Sequence, residues 1–515
     1  MLFNSYWFLF VFLPVTWGGY WVLRRQPSWS GRWLVTASLV FYGCWNPAYV
    51  ALLLASIAGN YHLARLIAAG GVRAGWLTRR HVLILATAAN VILLGYFKYT
   101  NFFLTTVAGL VGTSFDVTGI VLPLGISFFT FTQIAFLVEV YRGEATDLSF
   151  GRYVLFVTFF PHLIAGPILY YREIGPQLRA LYRRPFFENI SIGLTVAMIG
   201  LFKKVVLADN IAPFVSPVFE AAEAGRHLSL TESWGGVLAY ALQLYFDFSG
   251  YSDMAIGLAR MFGVVFPANF ASPYQATSII EFWQRWHITL SRFLRDFVYV
   301  PLGGNRQGSV RRDVHVAMTM LLCGLWHGAG WTYVAWGAWH GVLLIINHRW
   351  RSMCRYLPAG VRLRRPARFF GAAVTFLAVC AGWVLFRSPS FAAAFEIYRG
   401  MAGLNGLMLP EQWQPELGAF AQWLGQHGVT FGDMLSVFQG GQEVLWIGGL
   451  LLIVWVAPDT QDIMVAREPE HDRGGTGRQV VQWRPTLSWA MTVALMALVS
   501  LLSLNQVTEF LYFQF

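Results

Sequence analysis

An all-α membrane protein crossing the bilayer many times is the fold class this sequence predicts, and three observations predict it. Of its 515 residues, 56% are hydrophobic and 12% charged, whereas soluble domains carry about 25% charged residues. Apolar stretches of about 20 residues, enough to cross a ~30 Å hydrocarbon core, recur from end to end. Short Arg and Lys clusters separate them, as the positive-inside rule expects of cytoplasmic loops. Spanning backbone must satisfy its own hydrogen bonds, which leaves helices or closed barrels. The alternating strands of a barrel, about ten residues each, are not seen. The net charge of +11 is spread over these clusters, so it speaks for topology and against a nucleic-acid partner.

The elements follow in order. Tyr6–Leu23 has neither a basic n-region nor a small-residue cleavage site, and reads as a retained first span. Arg24-Arg25 with Arg32, Arg73 with Arg79-Arg80, and seven arginines from Arg349 to Arg368 are expected in the cytoplasm. Segments Trp33–Trp45 and Tyr49–Ala69 then go out and return. Val82–Phe97 follows, and Thr105–Gly119, free of Lys and Arg, is expected outside; Ile120–Val140 returns to Arg142. Here the alternation breaks. Arg142 and Arg152 precede the apolar stretch Tyr153–Tyr171, and Arg172, Arg179, Arg183 and Arg184 follow it. With both ends cytoplasmic the stretch is re-entrant, and its Pro161–Pro167 run is dense enough in Pro and Gly to break a helix. Broken backbone at membrane depth needs protein or a cavity around it.

Segments near Ile190–Leu207 and Trp234–Tyr245 flank an acidic loop with Glu220 and Glu223, expected outside. Ser278–Arg312 is aromatic and basic and too polar to span, so an amphipathic element at the cytoplasmic interface is expected. Val314–Leu325 and Thr332–Ile346 form an apolar pair, and further spans are expected near Phe369–Phe386, Val444–Val456 and Leu487–Leu502. Between Met401 and Ala466 no Lys or Arg occurs, so residues 403–443 are expected as an extracytoplasmic insertion. Residues 459–486 read as a cytoplasmic loop, and residues 507–515 end outside. Residues 1–515 read as a single membrane domain without an internal repeat. Cys44, Cys323, Cys354 and Cys380 form no C-x-x-C pair, so neither a zinc site nor a disulfide framework is indicated.

The run Leu321–Gly330 sets His327 among residues apolar enough to lie at membrane depth. A titratable ring there has lost water at a cost in free energy, and is a functional-site hypothesis by default; the alternative is a histidine hydrogen-bonded for packing. His287, within Glu281–Ser291, belongs to a different element and could face the same cavity. A neutral imidazole, of pKa about 6.5, suits a general base toward a hydroxyl. The alternative for His287, beside Arg285 and Trp286, is interfacial binding of lipid headgroups. His340 ranks below both, because one straight helix would put it on the face opposite His327. Asp247 and Asp253 sit in an apolar setting; binding an arginine or capping a broken helix weighs more there than acid/base work. Arg295, Asn305 and Arg306 surround a Gly-Gly-Asn-Arg turn that could receive the phosphates of an activated donor.

Several of these motifs recur together: Gly95–Tyr99, Leu122–Phe128, Phe160–Pro167, Leu244–Asp253, the Trp286-His287 block, Leu325–Gly328 and Tyr512–Phe515. As an ordered set they resemble the membrane-bound O-acyltransferase family, and within it the bacterial alginate O-acetylase branch. The resemblance implies helices and re-entrant segments around a central funnel, with His327 as the catalytic histidine and His287 at the second active-site position. It implies no bound cofactor and no metal, with acetyl-CoA as donor and a secreted polysaccharide such as alginate as final acceptor. Periplasmic acetyltransferase-like proteins are the expected partners, beside membrane lipid, and the bacterial inner membrane the expected location. Tyr512, in an aromatic terminus on the outer side, is a candidate acyl relay, with an interfacial aromatic anchor as the alternative. Transfer of D-alanyl or acetyl to a cell-wall polymer is the runner-up. A glycan transporter would show paired repeats, which are not found, and a scaffold would tolerate any residue at 327.

Overall fold

The computed structural model describes residues 1–70, 78–113, 119–181, 186–354, 365–464, 481–504 and 510–511. A short π-helical turn, Phe8–Phe12, leads into α1 (Leu13–Leu23). In α2 (Pro27–Gly43) the proline stands in the first turn, where its missing N–H is not needed. Helix α3 (Ala48–Ala68) pairs with α4 (Arg79–Val111), which starts at a Thr78 side-chain cap. The expected outer segment Thr105–Gly119 is therefore helical as far as Val111. No breaker interrupts it, and Thr100 and Thr105 hydroxyls fold back on the carbonyls of Tyr96 and Asn101, so the polar patch stays inside the helix. Gly112, at φ 71°, ends it.

Helix α5 (Ile126–Arg142) begins after Gly125, whose φ is 72° and whose α-carbon packs against the backbone of Leu163 and Ile164, leaving no room for a Cβ. The chain then breaks as expected into α6 (Phe150–Thr158), α7 (Phe160–Leu163) and α8 (Tyr171–Arg179). Every residue from Tyr153 to Tyr171 is buried. The Phe156 carbonyl, freed by the break, meets Nε2 of His162 at 2.7 Å, which is how interrupted backbone is satisfied without water. Arg152 and Arg179, on either side of the stretch, line one cavity, so the chain enters and leaves at the same end.

Helix α9 (Phe186–Phe202) runs on through a π turn (Lys203–Ala208) into α10 (Asp209–Ile211) and α11 (Ser216–Glu223). Glu220 and Glu223 thus lie on a helix rather than in a loop. Helix α12 (Leu230–Met261) far exceeds the expected Trp234–Tyr245 span and carries both Asp247 and Asp253. The stretch expected at the interface is a chain of short pieces, α13 (Ile279–Arg285), α14 (Ile288–Leu294) and a π turn (Arg295–Tyr299). Ser278 caps α13 and Glu281 bonds back to Thr277, a variant of the capping box. An antiparallel hairpin follows, α15 (Ser309–His327) and α16 (Trp331–Cys354), then α17 (Arg365–Arg387) and α18 (Phe391–Met401).

The insertion at residues 403–443 holds a two-stranded parallel ribbon, β1 (Leu407–Pro410) and β2 (Val429–Gly432), with Leu407 opposite Val429. Between the strands lie α19 (Trp413–Leu417) and α20 (Ala419–Gln426). Glu396 ties the base of the insertion to α18, since His227 and Asn405 lie 2.9 Å from its carboxylate. Burial pushes that carboxyl up, but the hydrogen bonds from His227 and Asn405 outweigh it and hold the group below its ordinary value. Three more helices follow, α21 (Gln442–Val456), α22 (Thr460–Met464) and α23 (Leu487–Leu502). The expected loop at 459–486 therefore opens with a buried helix, because Asp459 accepts from Ser272 and Thr460 accepts from Lys203; residues 465–480 lie outside the described residues.

Among the described residues, four helical runs are long and apolar enough to cross a membrane, Ala48–Ala68, Arg79–Val111, Phe187–Glu223 and Arg368–Arg387. The chain forms two compact units. One comprises Met1–Phe202, Gly250–Asn269 and Arg484–Gln514, and the other Lys203–Ser249 with Phe270–Trp483. In the first, Asn60 and Asn90 exchange hydrogen bonds of 3.1 and 2.6 Å between α3 and α4, a polar tie where apolar surfaces alone would slide. Its aromatic core stacks Phe3 on Tyr251 at 4.8 Å and Tyr251 on Phe510 at 4.6 Å.

Candidate functional site

The second unit holds both histidines that the sequence singles out. His327 is the last residue of α15, because Gly328 is extended and the chain turns at once into α16. The hairpin is drawn tight by two glycines facing each other. A Cβ on Gly324 would strike the Tyr333 carbonyl, and one on Gly337 the Met320 carbonyl. That approach brings the start of α16 over the end of α15 and closes an aromatic box on His327, which is 4% exposed. Trp336 meets its ring edge-on at 5.0 Å, Phe386 of α17 does so at 5.3 Å, and Trp326 packs at 4.9 Å.

His287 stands in the link between α13 and α14 and is fully buried, so the headgroup-binding alternative does not describe it. Its φ of 42° is left-handed, a conformation costing about 1–3 kcal/mol for a residue with a side chain and concentrated at functional positions. Phe248 of α12 meets its ring at 4.8 Å, and Trp326 lies 6.3 Å away. One indole thus touches both histidines. Trp326 was not singled out from the sequence, although a Trp-His dipeptide occurs at 286–287, 326–327 and 339–340, and that repetition was the available signal.

His340 also faces this box. The straight-helix argument against it fails because the chain reverses between the two residues: Trp336 packs on His327 and, at 4.8 Å, on His340. His340 Nδ1 accepts from Trp283 Nε1 at 3.3 Å, which leaves the proton on Nε2, an atom with no hydrogen-bond partner among the described residues. The ring is a buried neutral donor one tryptophan away from His327.

Asp247 takes the structural part. Lys204 Nζ lies 2.6 Å from it and 2.8 Å from Asp209, so the expected arginine is a lysine contributed by the π turn. Asp253 falls in the other unit and is buried. Arg295 pairs with Asp296 at 2.8 Å, and Tyr299 donates to Asn305 at 2.6 Å. Arg295, Asn305 and Arg306 are each exposed and open to a solvent-borne ligand. Tyr512 lies outside the described residues; its neighbours Phe510 and Leu511 are buried. Among the described residues no group of three or more His, Cys, Asp or Glu could hold a metal ion, and all four cysteines are free thiols.

The arrangement can do acid–base chemistry on a neutral substrate: a buried imidazole, walled by rings and sealed from bulk water, with a second imidazole against the same indole. Comparison with known proteins shows the family. The model of the membrane-bound O-acyltransferase family matches residues 76–388. The peptidoglycan O-acetyltransferase of Helicobacter pylori is 41% identical over 79% of this chain and 81% of its own length. A protein named probable alginate O-acetylase in Azotobacter vinelandii is also 41% identical, over 78% of each chain. A teichoic acid D-alanyltransferase of Streptococcus thermophilus is 31% identical over 44% of this chain and 57% of its own.

Proposed function

The chain belongs to the membrane-bound O-acyltransferase family, and from that premise we propose that it moves acetyl from cytoplasmic acetyl-CoA for O-acetylation of a polysaccharide outside a bacterial inner membrane. It is a multi-pass membrane enzyme that transfers acyl groups. The observation that carries the finer reading is the convergence of His327 and His287 on Trp326 inside a buried aromatic box.

Acyl transfer from a thioester needs an activated hydroxyl and a protonated leaving thiolate. In the proposed step His327 takes the acceptor's O–H proton as that oxygen bonds to the thioester carbonyl carbon. Collapse of the tetrahedral species breaks the C–S bond, and His327 returns the proton to the leaving sulfur. The box excludes water, which would otherwise hydrolyse the thioester. His287 is set to orient the acceptor or hold the carbonyl, and His340 supports the box from behind Trp336. Arg295, Asn305 and Arg306 are offered for the donor's phosphates. Periplasmic acetyltransferase-like proteins would carry acetyl onward, with Tyr512 as the candidate relay.

Two acceptors have equal support, since the relatives named for peptidoglycan and for alginate share the same identity with this chain. D-alanyl transfer is supported at lower identity and over only about half of the chain, by relatives 31% and 27% identical over 44% and 52% of it. The deciding experiment measures ester-linked acetate on secreted polysaccharide and on purified peptidoglycan. The strain is a deletion complemented with wild type or His327→Ala at matched membrane levels. Wild type should restore acetate on one of the two, and His327→Ala should cut the rate about 10²–10⁴-fold. Full restoration by the variant would leave the chain a scaffold.

A further inference from the structure

We propose that a cleft between the ends of α2, α6 and α8 binds an anionic phospholipid through its phosphate. The cavity has a volume of about 650 Å³. Its polar side is formed by Ser28, Ser30 and Arg32 in the first turns of α2, Ser149 and Arg152 at the start of α6, and Arg179 at the end of α8. None of these belongs to the histidine box.

Charge sets the class of ligand. Three guanidinium groups line the cleft, and one carboxylate, Asp147, balances Arg152 at 2.5 Å. Arg32 stacks over Trp29 at 5.1 Å, a contact that leaves its charge uncompensated, and Arg179 has no carboxylate partner among the described residues. Two helices begin here, and the free N–H groups of their first turns add to the positive field. Ser149 precedes α6 without turning its hydroxyl to cap it, so that donor is also available. A phosphate diester fits this set of donors.

The apolar part of the lining decides between a lipid and a free anion. Val154, Leu155 and Leu178 are buried along it, with Val35 beside them. A soluble phosphate has no use for that surface, whereas an acyl chain does. Exposed Phe150 lines the cleft and exposed Trp29 packs against Arg32 of its lining, as aromatic residues do at the headgroup level. Arginines expected in the cytoplasm from three separate stretches of sequence meet in this one cleft. Basic pockets between helices on that side of a membrane are where anionic headgroups bind.

The test uses the purified full-length protein in detergent. It is titrated separately with phosphatidylglycerol, with phosphatidylcholine of the same chains, and with coenzyme A, and bound ligand is read by native mass spectrometry. Phosphatidylglycerol should be retained about tenfold or more over phosphatidylcholine. The Arg32→Gln/Arg179→Gln variant should lose that preference while keeping the phosphatidylcholine baseline. Gly31 faces open space, so Gly31→Phe can fill the cleft without a backbone clash and should also abolish retention. This second variant, with the wild-type ratio, decides the matter if the arginine variant fails to fold. Equal retention of the two lipids by wild type, or an unchanged preference in the folded variants, overturns the proposal. Saturable displacement of phosphatidylglycerol by coenzyme A assigns the cleft to a soluble phosphate ligand and overturns it too.

Discussion

Trp326 occupies a position that neither histidine could do without, since it is the ring against which both are packed. A displacement of about 1 Å in a catalytic group can cost on the order of 10²-fold in rate. Trp326→Leu is therefore expected to lower acyl transfer about 10- to 100-fold at an unchanged membrane level, while Trp326→Phe, which keeps a ring between the imidazoles, retains most of it. Acetate release in isolated membranes measures both, and a Leu variant as active as wild type would remove Trp326 from the site. His327 and His287 were legible in the sequence because a titratable ring within an apolar run is costly unless it is used. Trp326 was not, because a tryptophan in such a run is what any buried core contains. Asp247 was legible as a buried charge, but its partner Lys204 comes from another helix and carries no mark in the local sequence.

Between α15 and α16 the contact is backbone on backbone, and the site depends on it. Gly337→Ala would push a methyl into the Met320 carbonyl, where no flexible side chain can yield. Overpacking of this kind costs about 1–3 kcal/mol, so the variant should melt at a lower temperature and lose activity together. A thermal melt in detergent equal to wild type would show that the hairpin can open without penalty. The same hairpin explains why the straight-helix argument about His340 fails: helical periodicity says which residues share a face of one helix and is silent once the chain turns back. The break at Pro161–Pro167 was readable because Pro and Gly act locally. The full length of α4 and of α12 was not, because hydropathy marks where a helix is greasy and not where it ends.

Across the first unit, the re-entrant stretch makes a claim about sidedness. Ser149 and Arg179, one before the stretch and one after it, line one cavity, so cysteines placed at either should be labelled by a membrane-impermeant maleimide from the same side. In a Cys44→Ser/Cys354→Ser background, which removes the two native thiols that are not buried, both Ser149→Cys and Arg179→Cys should react in inverted vesicles and stay silent in intact cells. Opposite labelling of the two would mean that Tyr153–Tyr171 crosses the membrane. Charge clusters are what this expectation of sidedness rests on in the sequence, whereas the division into two units carried no such mark, since each unit draws on distant stretches of chain.

The stack of Phe3, Tyr251 and Phe510 has a bearing on how the protein is made. Its rings come from stretches far apart in sequence, so the core of the first unit cannot close before Phe510 has been translated. The helices made before it must wait in the bilayer, half-packed, until that phenylalanine arrives.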